Sequence, residues 1–132
     1  MNTNKYYDPF SALTKSSDDI EKKLFDKNDK SSNKTNLFIV NLSSNEKIWI
    51  DKSVFKIGTK KELCDYIVTD SKYVGRYHAR IIVENGQAYF EDNNSTNKSY
   101  VNNQQAFPNQ KIKLKNGDMF KLANVLFKFI EE

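Results

Sequence analysis

The chain has little of the residues on which catalysis, metal binding and cross-linking depend. Among its 132 residues there is one cysteine, Cys64, and one histidine, His78. A single cysteine excludes an internal disulfide, and one Cys with one His cannot supply the four ligands of a structural zinc ion. A Ser-His-Asp or Cys-His mechanism would have to use His78, and no Gly-x-Ser-x-Gly motif is present. We therefore predict a protein that is not an enzyme and has no metal or other cofactor.

Glycine and long apolar runs are also scarce. The four glycines are isolated, whereas nucleotide-binding loops need them in clusters. The segment 92–103 begins like a calcium loop but has Asn97 where glycine is required and Asn103 where glutamate is required. No apolar run approaches the roughly 18 residues of a membrane span, and no apolar signal core follows Met1. With one lone cysteine, these absences predict a cytoplasmic protein without a membrane span.

The charge is basic but spread along the chain. Lysine and arginine number 21 against 17 acidic residues, a net charge of +4. A nucleic-acid-binding protein usually concentrates its basic residues in one stripe, so we predict no nucleic-acid partner. Only two residues, Arg76 and Arg80, are arginines, the type best suited to bidentate phosphate contacts. The richness in lysine and asparagine suggests an AT-rich bacterial genome.

The first 34 residues differ in amino-acid composition from the rest. Residues 1–34 are polar and charged, and we predict a flexible tail or linker there, followed by one folded domain at 35–132. Within the tail, 9–13 form a short apolar cluster. Residues 18–25 could form a short helix, because Asp18 is a suitable N-cap and Glu21 completes a capping box. We expect the tail to be mobile as a whole, or ordered only by docking one short piece.

After residue 36 the sequence alternates between short apolar-polar segments and turn signals. Asn85-Gly86 is typical of a two-residue hairpin turn, because both central residues of a type I′ turn need positive φ. This texture predicts an all-β sandwich. We predict strands at 37–42, 47–50, 54–57, 66–68, 78–84, 87–92, 99–101, 111–114, 119–122 and 125–130.

Three loops between these strands carry the side chains most able to bind a ligand. They span 58–65, 70–78 and 93–98 and contain lysines, an arginine, hydroxyls and side-chain amides. A sandwich holds such loops rigidly, and this mixture would suit a phosphate beside an extended peptide. Lys, Asn and Ser also fill ordinary solvent-exposed turns, and composition alone favours that interpretation.

The order and spacing of these segments resemble the forkhead-associated (FHA) domain family from about residue 37 to 130. The family pattern is Ile-Gly-Arg, an acidic residue before a short strand, Ser-Arg-x-His-Ala, Asp-x-x-Ser-x-Asn-Gly-Thr, Val-Asn, and Leu-x-x-Gly-Asp. The matching segments here are Ile57-Gly58-Thr59, Asp65-Tyr66-Ile67-Val68, Gly75-Arg76-Tyr77-His78-Ala79, Asp92-Asn93-Asn94-Ser95-Thr96-Asn97-Lys98-Ser99, Val101-Asn102 and Leu114-Lys115-Asn116-Gly117-Asp118.

The resemblance implies a sandwich of about eleven short strands that binds phosphothreonine peptides at one end, as a signalling module. It implies structural roles for Gly58, His78 and Asp118. With the neighbouring loop residues that could substitute for the family's contacts, we predict a phosphopeptide site of Thr59, Lys60, Lys61, Gly75, Arg76, Ser95, Thr96, Asn97 and Lys98.

The sequence departs from the family at the positions that contact phosphate. Thr59 stands where the family has arginine, Gly75 where it has serine, and Lys98 where it has glycine. Loss of two charge-assisted hydrogen bonds removes about 3–5 kcal/mol and would turn micromolar into millimolar affinity. Two hypotheses follow: weak binding of a phosphothreonine partner through a site rebuilt on Lys60, Lys61, Lys98 and Arg76, or binding of an unmodified protein without phosphate. The oligomeric state is left open.

Overall fold

The computed structural model of the chain describes residues 6–8, 11–13 and 35–132, in two units, 1–34 and 35–132. In the first unit, β1 (Tyr6–Asp8) and β2 (Ser11–Leu13) pair antiparallel. Strand β2 falls within the apolar cluster predicted at 9–13. The predicted helix at 18–25 and the predicted mobility of the tail lie outside the described residues.

The second unit consists of eleven strands in two sheets, and its described residues contain no helix, so none is long and apolar enough to cross a membrane. The predicted all-β sandwich is confirmed, and each predicted strand is present to within one residue at either end. The strands are β3 (Leu37–Asn41), β4 (Glu46–Trp49), β5 (Val54–Gly58), β6 (Tyr66–Ile67), β7 (Ala79–Glu84), β8 (Gln87–Asp92), β9 (Ser99–Val101), β10 (Gln104–Ala106), β11 (Ile112–Lys113), β12 (Met119–Leu122) and β13 (Val125–Glu131).

The two sheets enclose the core. One has the strand order β10-β9-β12-β13-β3-β4 and the other β11-β8-β7-β5-β6, in which only β5 and β6 run parallel. Alternate residues point inward in strands such as β3, β8, β12 and β13, and Phe90, Phe120, Phe127 and Phe129 are fully buried. Phe120 and Phe127 stack with ring centroids 5.1 Å apart. Burial of each phenylalanine contributes about 1.5–3 kcal/mol, so this layer holds the sheets together.

Asparagine shapes many of the turns. Eight non-glycine residues among those described have positive φ, and six of them are asparagines. Asparagine tolerates the left-handed region better than most residues. At the predicted hairpin, Asn85 has φ 53° and Gly86 φ 77°, which connects β7 to β8 as expected. The richness in asparagine therefore serves the tight connections between short strands.

Candidate functional site

The three loops singled out in the sequence meet at one end of the sandwich. They surround an open depression of about 680 Å³. Seven of the nine predicted site residues line it, namely Thr59, Lys60, Gly75, Arg76, Ser95, Thr96 and Asn97. Lys61 and Lys98 do not line it, whereas Lys72, Tyr73 and Leu63, which were not predicted, do.

Backbone hydrogen bonds join the first two loops. The Thr59 N–H donates to the Gly75 carbonyl and the Lys60 N–H to the Arg76 carbonyl, each at 3.1 Å. The Cys64 thiol also donates to the Arg76 carbonyl, at 3.0 Å. A Cβ atom on Gly58 would lie 2.2 Å from that carbonyl oxygen. Glycine at 58 is therefore what lets the loops approach so closely.

His78 connects the second loop to the third. Its side chain is fully buried; Nδ1 lies 2.9 Å from the Gly75 N–H nitrogen, and Nε2 lies 2.9 Å from the Lys98 carbonyl oxygen. An N–H can only donate and a carbonyl can only accept, so Nδ1 accepts and Nε2 carries the proton. Burial lowers the pKa of His78, against smaller opposing effects of the Lys98 carbonyl and Asp92. The ring is a neutral brace between the loops.

This arrangement predicts that stability depends on pH through His78. The folded pKa lies below the ordinary value of 6.5, so the unfolded chain takes up a proton before the folded protein does. The contribution to stability is fully present above pH 6.5 and is lost as the pH falls through the lowered pKa, by at most about 1.4 kcal/mol per pH unit. Because His78 is the only histidine, its ring resonances in NMR report that pKa directly.

His78→Ala is the control for the pH dependence. It should unfold more readily by about 2 kcal/mol, because the Gly75 N–H and the Lys98 carbonyl lose their partner, and its stability should vary less below pH 6.5. A ring pKa at or above 6.5, or a variant as stable as the original protein, would show that His78 does not brace the loops.

Asp92 organises the third loop from within. The carboxylate is buried and accepts hydrogen bonds from the Ser95 N–H at 2.9 Å and from the hydroxyls of Ser95 and Ser99 at 2.5 Å. The Ser95 hydroxyl hydrogen is therefore already committed, although a role for Ser95 in ligand contact stays a prediction. This role of Asp92 and Ser99 was not predicted from the sequence. The Asp-x-x-Ser spacing, typical of a side chain that closes its own turn, could have indicated it.

The second and third loops are also tied by Asn97, whose Nδ2 donates to the Tyr73 carbonyl at 2.8 Å. The exposed Thr96 lines the depression beside it. Asp118 lies elsewhere, in the turn before β12, where its carboxylate accepts the Lys115 N–H at 2.8 Å. That bond fits the structural role predicted for Asp118.

Lys98 occupies a backbone conformation that suits glycine. Its φ is 69°. Its carbonyl accepts two hydrogen bonds, one from His78 Nε2 and one from the Ala123 N–H at 3.0 Å. A lysine whose backbone lies in the left-handed region is strained, typically by about 1–2 kcal/mol relative to its usual conformation. The glycine that the resemblance leads one to expect at this position would relieve that strain.

Lys98→Gly should therefore raise the free energy of unfolding by about 0.5 kcal/mol, since relief of strain slightly exceeds the added freedom of the unfolded chain. Lys98→Ala removes the same charge but keeps a Cβ, so it should bring no gain. Urea unfolding of both variants measures the difference. A glycine variant that is less stable than the alanine variant would contradict the role assigned to φ at this position.

The two arginines have different roles. Arg80 makes four hydrogen bonds: its guanidinium donates to Glu91 at 2.8 Å, Asn109 at 2.9 Å, Asn93 at 3.1 Å and Tyr77 at 3.2 Å. Arg76 is exposed and lines the depression with the exposed Lys60 and Lys72. Within residues 35–132 these three cations form no ion pair, and the lining contains no acidic residue. The depression is thus suited to an anion.

Comparisons with known proteins agree with this architecture. The profile of the FHA domain family matches residues 55–123. No curated protein sequence matches the chain. The FHA domain of CT664 from Chlamydia trachomatis superposes with a TM-score of 0.66 at 19% identity, over 74% of this chain and 98% of that one.

Two further solved structures contain ligands. EmbR of Mycobacterium tuberculosis, in complex with a low-affinity phosphopeptide, superposes with a TM-score of 0.65 at 21% identity, over 72% of this chain and 24% of EmbR. The N-terminal FHA domain of Rad53p from S. cerevisiae, in complex with a phosphothreonine peptide, gives 0.63 at 18% identity, over 74% of this chain and 94% of that one. At these identities the likeness concerns the fold, and this chain spans about a quarter of EmbR.

Proposed function

Because the chain belongs to the FHA domain family, we propose that it is a protein-interaction module that binds phosphothreonine peptides weakly, in the depression between the three loops. The observation that carries this proposal is the lining of the depression: three exposed cations, Lys60, Lys72 and Arg76, with no acidic residue among them. Two structural neighbours, EmbR and the N-terminal FHA domain of Rad53p, are complexes with phosphopeptides, which supports the same class of partner.

The weakness follows from two positions. Thr59 lacks the positive charge and paired N–H donors of an arginine, and Gly75 has no hydroxyl, so the site lacks the two side-chain contacts that would hold a phosphate tightly. Lysines and one exposed arginine provide charge without a fixed bidentate geometry. We expect dissociation constants of about 1 mM, which corresponds to roughly 4 kcal/mol of binding free energy.

We also propose that the domain binds its partner without catalysing a reaction. Both nitrogens of His78 are used in hydrogen bonds to the backbone, so the ring has no free position for proton transfer. Burial, and secondarily Asp65, raises the pKa of the Cys64 thiol, which disfavours the nucleophilic thiolate. Within the described residues, no three His, Cys, Asp or Glu side chains form a candidate metal site.

The second candidate function is recognition of an unmodified protein partner by the same loops. It is favoured by the observation that Thr59 and Gly75 replace both phosphate-contacting positions of the family pattern. The two candidates differ in one measurable respect, the dependence of binding on the phosphate group.

Arg76→Gln and Lys60→Gln test the proposed site. Each should weaken binding of a phosphothreonine peptide about three- to tenfold, because each removes one solvent-exposed charge worth roughly 1 kcal/mol. Calorimetry at low ionic strength measures the change. Lys115→Gln is the matched control, since Lys115 lies in the turn before β12 and not in the depression. Equal affinities for all four proteins would show that phosphate is not bound at these loops.

A further inference from the structure

The outward face of the six-stranded sheet has an unusual composition. Alternation along β3, β4, β9, β12 and β13 places one set of side chains outward, and the strand register aligns them in rows. One row is Trp49, Phe38 and Ile130, and another is Leu126, Lys121 and Tyr100. The solvent-facing side of an antiparallel sheet is normally polar. We call this surface the outer sheet face.

Large apolar side chains on the outer sheet face are open to solvent. Trp49 is 58% exposed, and Met119 and Leu126 are each 37% exposed. Between the last two lies a depression of about 520 Å³ that Tyr100 and Lys121 also line. Asn102 and Asn103 also line it, so the depression is partly apolar and partly polar. A concave site of this kind can take one large side chain of a partner, the usual anchor of a protein interface.

The charged side chains at the outward strand positions of this face are all positive. These positions carry three lysines, Lys47, Lys121 and Lys128, and no acidic residue. Lys47 is paired at 2.8 Å with Glu132, just beyond β13, while the other two have no ion pair within residues 35–132. On the opposite sheet, by contrast, Arg80 and Glu91 form an ion pair at 2.8 Å.

The charge pattern selects among possible occupants. Two copies of the chain meeting at this face would bring lysines against lysines, which costs affinity. Single-stranded nucleic acid stacks successive bases on several open rings. Here Lys121 lies 5.3 Å from the Tyr100 ring centroid and Lys47 lies 4.4 Å from that of Phe38, so within residues 35–132 Trp49 is the one ring of these rows without a lysine over it. A protein segment with carboxylates beside a large apolar side chain would fit this face. The apolar side chain would fill the depression, and the carboxylates would pair with the lysines that have no ion pair.

We infer that the outer sheet face is a second docking site, which binds an acidic, apolar protein segment without phosphate. The apolar side chain enters the depression between Met119 and Leu126, and a carboxylate pairs with Lys121. The proposal is independent of the phosphate site, because the two depressions share no lining residue.

Selection of displayed random peptides on the full chain tests this inference. Peptides that bind the unaltered protein but not Leu126→Glu should share acidic residues next to Leu, Phe, Met or Trp. A synthetic copy of such a peptide, without phosphate, should bind at least about tenfold more weakly to Leu126→Glu and to Lys121→Glu. Val54→Glu is the matched control, since Val54 is 40% exposed on the other sheet and should leave binding unchanged.

Circular dichroism of each variant establishes that it is folded. If Leu126→Glu does not fold, Lys121→Glu still provides the test, because Lys121 is exposed and its substitution should not disturb the core. Binding that survives in Arg76→Gln separates this site from the loops. The inference is overturned if no selected peptide depends on Leu126, or if the selected peptides lack acidic residues. It is equally overturned if the face instead mediates self-association or binding to phosphatidylserine vesicles that Lys121→Glu abolishes.

Discussion

Gly58→Ala is expected to destabilise the protein by about 3 kcal/mol or more, the upper end of the range for overpacked sites. The new Cβ would lie 2.2 Å from the Arg76 carbonyl oxygen, 2.7 Å from its carbon and 2.8 Å from the Cys64 sulfur. The first two are backbone atoms, held by the Lys60 N–H bond at 3.1 Å, so they cannot swing aside as a side-chain end would. The two loops must separate, and the depression opens with them.

Gly75→Ala is the matched control for this substitution. A Cβ at 75 would come no closer than 3.6 Å to His78 Nδ1, and Gly75 is not among the glycines with positive φ. We expect the control to change the free energy of unfolding by less than about 1 kcal/mol. Thermal unfolding of both proteins measures the difference, which should be about 4–8 °C in Tm for each kcal/mol. Similar melting temperatures would mean that Gly58 does not hold the loops together.

Thr59→Arg combined with Gly75→Ser is expected to tighten phosphothreonine peptide binding by about a hundredfold or more. The two substitutions supply a bidentate cation and a short hydroxyl donor, together worth about 3–5 kcal/mol, at about 1.4 kcal/mol per tenfold. The backbone is already in place, because the Thr59 N–H donates to the Gly75 carbonyl at 3.1 Å and both residues line the depression. A Cβ atom at position 75 would meet only ordinary contacts, the nearest being His78 Nδ1 at 3.6 Å.

Calorimetry of the original protein, both single variants and the double variant measures this gain, with the unphosphorylated peptide as the control ligand. Each single variant should recover part of the affinity, since each restores one contact. If the original protein already binds at micromolar concentration, its cations have rebuilt the site. If the double variant gains nothing, the loops do not present positions 59 and 75 to a phosphate.

Much of the fold could be predicted from the sequence, because inward-facing apolar residues alternate strictly in strands such as β8 and β13. Strand β10 was missed, since Gln104 and Gln105 are polar and the strand lies at a sheet edge, where pairing with β9 rather than burial determines it. The turn at Asn85-Gly86 was predicted correctly, because the positive φ that it requires depends only on these two residues.

The site was less predictable, because loop geometry decides which side chains meet. Lys61 follows Lys60 in sequence but does not line the depression, whereas Lys72 does. Lys98 contributes its carbonyl to His78, a backbone role that composition cannot reveal. The spacing of Asp92 and Ser95 can be read from the sequence, but the sequence does not show that Ser95 hydrogen-bonds to the buried Asp92 carboxylate.

We propose that the three loops form a phosphate-recognising surface, and an NMR titration of the unaltered protein is the sharpest test of this. Paired peptides that differ only in the phosphate on one threonine would be added up to millimolar concentration. We predict that the phosphorylated peptide shifts the backbone amides of Lys60, Arg76 and their neighbours in the depression, and that its unphosphorylated twin does not. Equal shifts with both peptides, or no shifts in these loops, would contradict the claim.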